Sequence, residues 1–184
     1  TYVLMGDGEI AEGAVWEAAS LAGVYKLNNL VAIVDVNRLG QSEATAFGHN
    51  LDVYAKRFAA FGWRVEEIDG HDMDEILEVL AADSLGDQPL VILAKTLKGA
   101  GISFIQDKDN WHGKPLNKEE AARAIADLQP RAKTGTDVKI PAPSQLPAPN
   151  NTAPASYPPL SYKLGDPVAT REAYGTALLR MGGV

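Results

Sequence analysis

Two stretches decide the fold: Tyr2-Val3-Leu4-Met5-Gly6-Asp7-Gly8-Glu9 and Leu30-Val31-Ala32-Ile33-Val34-Asp35-Val36-Asn37. The second is a continuous β-branched run ending on a polar residue, the pattern of a central parallel strand buried on both faces. The first, 2–5, also reads as a buried strand, followed by a Gly-Asp-Gly turn. Between them, 12–27 carries Val15, Ala18, Ala19 and Ala22 at helical spacing, with Asn28-Asn29 as a stop. Strand, helix and strand make one βαβ unit, which takes about 30 residues.

The same alternation continues outward. It predicts a loop over 37–50, helices over 51–61, 73–82 and 118–128, and strands over 64–68 and 89–95. Alternating strands and helices imply an α/β fold, a doubly wound parallel sheet with right-handed crossovers. Between positions 130 and 167 lie 9 of the 11 prolines, among Thr, Ser, Asn and Ala. That composition reads as an extended linker, and 169–181 as a further helix. The expected organisation is an incomplete α/β domain (1–129), a Pro-rich linker (130–168) and the start of a second domain (169–184). Both ends read as cuts, and a sheet lacking its first strands is expected to expose apolar edges.

The chemistry lies where the two opening strands end. Ligands of parallel sheets gather beyond the carboxyl ends of strands. Asn37 follows Asp7 by thirty positions (37 − 7 = 30), so the βαβ unit can set them side by side. A carboxylate and an amide oxygen suit a hard cation such as Mg²⁺, which takes six oxygens, several from phosphate and water. The glycines admit backbone N–H groups to an anion, and a helix N-terminus adds partial positive charge. Taken singly, an Asp between glycines is usually only a turn; the pair at this spacing points to a metal-bridged diphosphate. A dinucleotide fingerprint is absent, because position 11 is Ala and Gly13 falls two late.

GDG at 6–8 with Asn37 resembles the thiamine diphosphate signature. GDGEIAEGAVWEA (6–18), NLVAIVDVNRLGQS (29–42), AKTLKGAG (94–101) and WHGKPL (111–116) are similar to transketolases of the animal type. The likeness runs nearly end to end and includes 158–173; 130–156 is the least family-like part.

The resemblance implies the thiamine diphosphate-binding fold and a two-carbon ketol transfer from a ketose phosphate to an aldose phosphate in the pentose phosphate pathway. It implies thiamine diphosphate and Mg²⁺ (or Ca²⁺ or Mn²⁺) as cofactors, sugar phosphates as substrates, and a homodimer of the full-length protein in the cytoplasm. Asp7, Asn37 and the backbone carbonyl of Leu39 match metal ligands. Gly6, Asp7, Gly8, Asn37, Gln41, Lys98, His112 and Lys114 match cofactor-binding positions. His112, Glu12 and Glu17 match catalytic ones, the glutamates joining two cofactor sites across the dimer; alone they read as acids favoured by a helix dipole.

His49 and His71 read as ordinary loop and turn residues, and the acids over 72–78 as a solvated helix face. The isolated chain is expected to transfer little or no sugar. Open alternatives are dihydroxyacetone synthase, deoxyxylulose-phosphate synthase, a 2-oxo acid dehydrogenase α chain, or a non-catalytic transketolase-like binding protein.

The 184 residues carry a formal net charge of −7 with no basic patch, which disfavours nucleic acid and anionic membranes as partners. With no cysteine, disulfides and thiolate metal sites are excluded, and a reducing compartment fits. No apolar run reaches the roughly 18 residues of a membrane span.

Overall fold

The computed structural model describes residues 1–81, 86–132, 162–163, 165 and 167–182. The chain divides into two compact units, Thr1–Thr134 and Gly135–Val184. Most of the expected 130–168 linker lies outside the described residues.

The first unit is a parallel four-stranded sheet: β1 (Tyr2–Gly6), β2 (Val31–Val36), β3 (Arg64–Asp69) and β4 (Leu90–Lys95), in the order β1-β2-β4-β3. Helices α1 (Gly13–Val24), α2 (Leu51–Ala60), α3 (Met73–Ala81) and α4 (Lys118–Leu128) alternate with the strands. From β1 to β3 the chain steps one way across the sheet, and Ala19 and Ala22 of α1 join Tyr54 and Phe58 of α2 over Ala32, Val34 and Val36. From β3 to β4 it steps back, and Val79 of α3 covers Ile33, Ile68 and Ile92 on the other face. Reversing the step moves the helix to the opposite face when crossovers stay right-handed, so the sheet is doubly wound.

Local chemistry sets the element ends. Asn117 Oδ1 accepts from Glu120 N at 2.9 Å while the Glu120 carboxylate accepts from Asn117 N, a complete capping box that starts α4. At Gly23 in α1 a Cβ would fall 1.7 Å from Phe61 O, so only glycine lets α1 lie this close to the turn after α2. Trp63 Nε1 then donates to Ala19 O at 2.8 Å, satisfying the one polar atom of a buried indole. The second unit contributes α5 (Thr170–Gly182) where 169–181 is expected to be helical.

Three expectations need adjustment. Helix 12–27 is shorter: a 3-10 turn over Glu9–Ala11 precedes it, and it stops at Val24 because Lys26 adopts a left-handed φ of 51°. Strand 2–5 extends to Gly6 and is not buried, with Tyr2 67% and Leu4 73% exposed. The reason is topological: β1 pairs with β2 alone and forms a sheet edge, and α3 lies over β3 and β4. The apolar pattern of the sequence is the same for edge and centre; the number of neighbours is not. His71 also departs from its plain turn role, as described next.

Candidate functional site

Every strand points its carboxyl end to one edge of the sheet, and the loops there enclose an open cleft of about 680 Å³. Gly6, Asp35, Asn37, His71, Thr96, Lys98, Trp111 and His112 are among its walls. Asp7 lies immediately past β1, next to the lining residue Gly6, only 4% exposed and the one buried charged residue among those described. Its backbone N–H donates to Asp35 O at 3.1 Å, fixing the turn against the end of β2. Its Oδ2 accepts from Arg38 N at 2.8 Å and from Thr45 Oγ1 at 2.9 Å. Oδ1 has no hydrogen-bond donor among the described residues.

The loop after β2 is built to reach back. Arg38 takes a left-handed φ of 63°, which aims its N–H at Asp7. Its guanidinium donates to Asp107 Oδ1 at 2.6 Å and to Asp107 O at 3.1 Å, tying the loop to the segment after β4. That guanidinium holds the Asp107 carboxyl below its usual value, chiefly through the hydrogen bond. Leu39 bridges antiparallel to Ala44, and Thr45 N donates to Arg38 O, so the loop closes and brings the Thr45 hydroxyl to Asp7. Beneath it burial pushes the Tyr54 phenol above its usual value, with the Asp7 charge adding to the effect.

Asn37 is held from both sides. Its Nδ2 donates to Asp35 Oδ2 at 3.1 Å, and its Oδ1 accepts from Leu39 N at 3.1 Å. Thr96 Oγ1 donates to the other Asp35 oxygen. The Leu39 side chain is buried, and its carbonyl oxygen accepts no hydrogen bond among the described residues. Three oxygens therefore keep spare capacity in the turn after β1 and the loop after β2: Asp7 Oδ1, the second lone pair of Asn37 Oδ1, and Leu39 O. No cluster of three or more His, Cys, Asp or Glu able to hold a metal exists among the described residues. A set of one carboxylate, one amide and one carbonyl needs none.

Across the cleft, Lys98 Nζ donates to His112 Nδ1 at 3.3 Å. Gly99 (φ 68°) turns the Lys98 loop beneath Ile105, where a Cβ would fall 2.4 Å from Ile105 Cγ2. Leu97 N donates to His71 Nε2 at 2.8 Å, and His49 Nε2 meets Thr96 O at 2.9 Å. The two histidines given ordinary roles by the sequence thus brace the segment that presents Lys98.

The structure brings Gly6, Asn37, Lys98 and His112 together around the cleft, with Asp7 next to Gly6 and Leu39 N bonded to Asn37. It does not bring in the rest of the expected set. Glu12, just before α1, and Glu17, within it, are exposed, and their side chains have no hydrogen-bond partner among the described residues. Gln41 is exposed on its loop, and Lys114 lies over the Trp111 ring at 4.2 Å. The Gly6 N–H donates to Glu9 Oε2 at 3.1 Å and is not open to an anion. Gly8 has an ordinary φ of −71° and a Cβ there would meet only Thr45 Cγ2 at 3.8 Å, so neither backbone nor neighbours demand glycine. Open space above a bare N–H is what an anion's approach requires.

Asp35 and Thr96 are the site residues that sequence reasoning missed. A signal was present: Asp35 interrupts an apolar strand two residues before Asn37, hence on the same face.

A family model described as "Transketolase, thiamine diphosphate binding domain" matches residues 1–141. The chain belongs to the transketolase family. Transketolase from Mus musculus is 46% identical over 183 residues, covering 98% of this chain and 29% of that protein. A solved transketolase from Campylobacter jejuni superposes with a TM-score of 0.63 at 35% identity, over 70% of this chain and 20% of that one. A Pichia stipitis transketolase solved in complex with sedoheptulose 7-phosphate gives a TM-score of 0.60 at 29% identity, over 70% of this chain and 19% of that one. This transketolase-family chain thus spans 29% of the length of the mouse protein. No helix among its described residues is long and apolar enough to cross a membrane.

Proposed function

We propose that this chain supplies the metal and diphosphate cradle of a transketolase that moves a two-carbon ketol unit from a ketose phosphate to an aldose phosphate. The observation that carries the reading is the trio of oxygens with spare capacity, Asp7 Oδ1, Leu39 O and the second lone pair of Asn37 Oδ1, in the turn and the loop that follow two adjacent parallel strands. They match the hard oxygen donors that Mg²⁺ takes alongside phosphate and water.

Asp7 would offset one of the ion's two charges, and its second oxygen is already held by Arg38 N and Thr45, so little ordering would remain on binding. Gly8 N–H and the Lys98 ammonium are the groups that would bind diphosphate oxygens. Bound there, thiamine diphosphate supplies the nucleophilic carbon that carries the two-carbon unit. His112, held to Lys98 at the mouth of the cleft, is placed to hydrogen-bond a sugar hydroxyl and exchange its proton. Glu12 and Glu17 belong to a different surface and act only if a second subunit covers α1, in the homodimer that the reading assigns to the whole protein. The segment 130–168 is assigned as linker and 169–184 as the start of a further domain. We assign the isolated chain little or no sugar transfer of its own.

The test is a crystal of the chain grown with Mn²⁺ and thiamine diphosphate. Expected is an anomalous peak about 2.0–2.3 Å from oxygens of Asp7, Asn37 and Leu39. A peak elsewhere, with the diphosphate ordered away from Gly8 and Lys98, overturns the reading.

A further inference from the structure

Asn37 can serve a cation only through Oδ1, because its Nδ2 hydrogens would repel the ion. An amide can flip, and what prevents the flip here is a pair of partners with single roles. Leu39 N–H only donates, at 3.1 Å from Oδ1; the Asp35 carboxylate only accepts, at 3.1 Å from Nδ2. A flipped Asn37 would set N–H against N–H and oxygen against carboxylate. Asp35 is in turn anchored through its second oxygen by the Thr96 hydroxyl. Thr96 is the first residue after β4, and its backbone carbonyl is met by His49 Nε2 at 2.9 Å. Three residues on two adjacent strand ends thus form one relay, Asn37–Asp35–Thr96, and Lys98 lies two residues beyond it.

We propose that Asp35 is the positioning residue that fixes the Asn37 amide with its oxygen toward the cation and locks that ligand to the strand end presenting Lys98. The proposal rests on the reading of Asp7 and Asn37 as metal ligands. Asp35 itself touches neither the ion nor the cofactor in this account; it acts through Asn37. Partners that orient a metal ligand typically change affinity by roughly 10–100-fold when removed.

Substitutions separate orientation from mere filling of space. Asp35→Ala leaves Nδ2 without an acceptor, so only the Leu39 N–H still opposes the flip and the flipped amide gains population. Asp35→Asn keeps one oxygen, which Asn37 can still use while the Thr96 hydroxyl rotates to accept the new NH₂. The conservative variant should therefore rescue most of what alanine loses. Thr96→Val cuts only the anchor and should have an intermediate effect.

The experiment is nuclear magnetic resonance of the ¹⁵N-labelled full chain, following the Asn37 side-chain NH₂, together with Mg²⁺ titration at saturating thiamine diphosphate. In wild type one Asn37 amide proton is expected downfield and slow to exchange. Asp35→Ala should abolish that signature and weaken Mg²⁺ roughly 10–100-fold, whereas Asp35→Asn keeps the signature and stays within about threefold.

An Asn37 signal unchanged in a folded Asp35→Ala chain overturns the proposal, as does unchanged Mg²⁺ affinity in that variant. If Asp35→Ala does not fold, Thr96→Val with an unmoved Asn37 signal and Mg²⁺ affinity overturns it equally. Protected amide protons in a wild type that binds no Mg²⁺ with thiamine diphosphate would instead overturn the underlying metal reading.

Discussion

Asp7 and the pair Glu12 and Glu17 are carboxylates within one short stretch of chain, yet they inhabit opposite situations. Asp7 is buried and gripped by Arg38 N and Thr45 from the loop after the next strand. The two glutamates stand exposed, one just before α1 and one within it, with nothing among the described residues to hold their side chains. Two adjacent parallel strands and one returning loop are enough to hold the Asp7 carboxylate in place. No described residue does the same for the glutamate side chains, which are exposed. A carboxylate is committed to a role when its own fold immobilises it; an uncommitted one waits for a partner.

That contrast can be broken or sharpened in several ways. The largest effect should come from the core beneath the site. Phe58 is fully buried and touches Trp16 and Trp63 at centroid distances of 5.1 and 5.4 Å, so Phe58→Ala should cost about 3–5 kcal/mol in urea unfolding. A loss this large that spares Mg²⁺-dependent binding would show the site to be less dependent on the helix layer than the structure implies.

Removing the opposite wall is milder. Lys98→Ala deletes one charge-assisted contact to diphosphate and should weaken thiamine diphosphate about tenfold without altering the fold, measured by calorimetry at saturating Mg²⁺.

Acid titration comes next. The Asp107 carboxyl titrates below its usual value in the folded chain, because Arg38 donates to it. Its stabilisation is present above the unfolded value of about 3.9 and is lost as pH falls through the folded one. Its side chain is 35% exposed, so solvent screening keeps the contribution under about 1 kcal/mol. Asp107→Asn, which tolerates the local φ of 58°, should lower the melting temperature slightly at pH 7 and converge with wild type once the pH falls below the lowered value of the folded carboxyl. A gap that widens in acid would contradict the pairing.

The smallest effect belongs to α1. Glu12→Gln and Glu17→Gln should shift stability by less than about 0.5 kcal/mol and leave binding by the isolated chain unchanged. A clear loss of binding in either would mean that the glutamates reach the cleft after all.

The same physics explains what the sequence made legible. Parallel strands and amphipathic helices follow from residue periodicity, so β2 (Val31–Val36) and α4 (Lys118–Leu128) are foreseen almost to the residue. Burial does not follow from periodicity, because Tyr2 and Leu4 look like core until the sheet order leaves them at an edge. Asp7 and Asn37 could be paired because strand-end geometry and a βαβ spacing are both local rules. Thr96, His49 and His71 could not, since their contacts join loops after different strands, and loop closure leaves no periodic trace. Asp35 lies between these cases: its place on the strand is legible, but its two partners are not.

The most direct test of the central claim is a calorimetric titration of thiamine diphosphate into the chain with and without Mg²⁺, beside Asp7→Ala, with circular dichroism confirming that both are folded. The account predicts binding that requires Mg²⁺ and falls by more than about 100-fold in the variant. Binding that ignores Mg²⁺, or survives intact in Asp7→Ala, would contradict it.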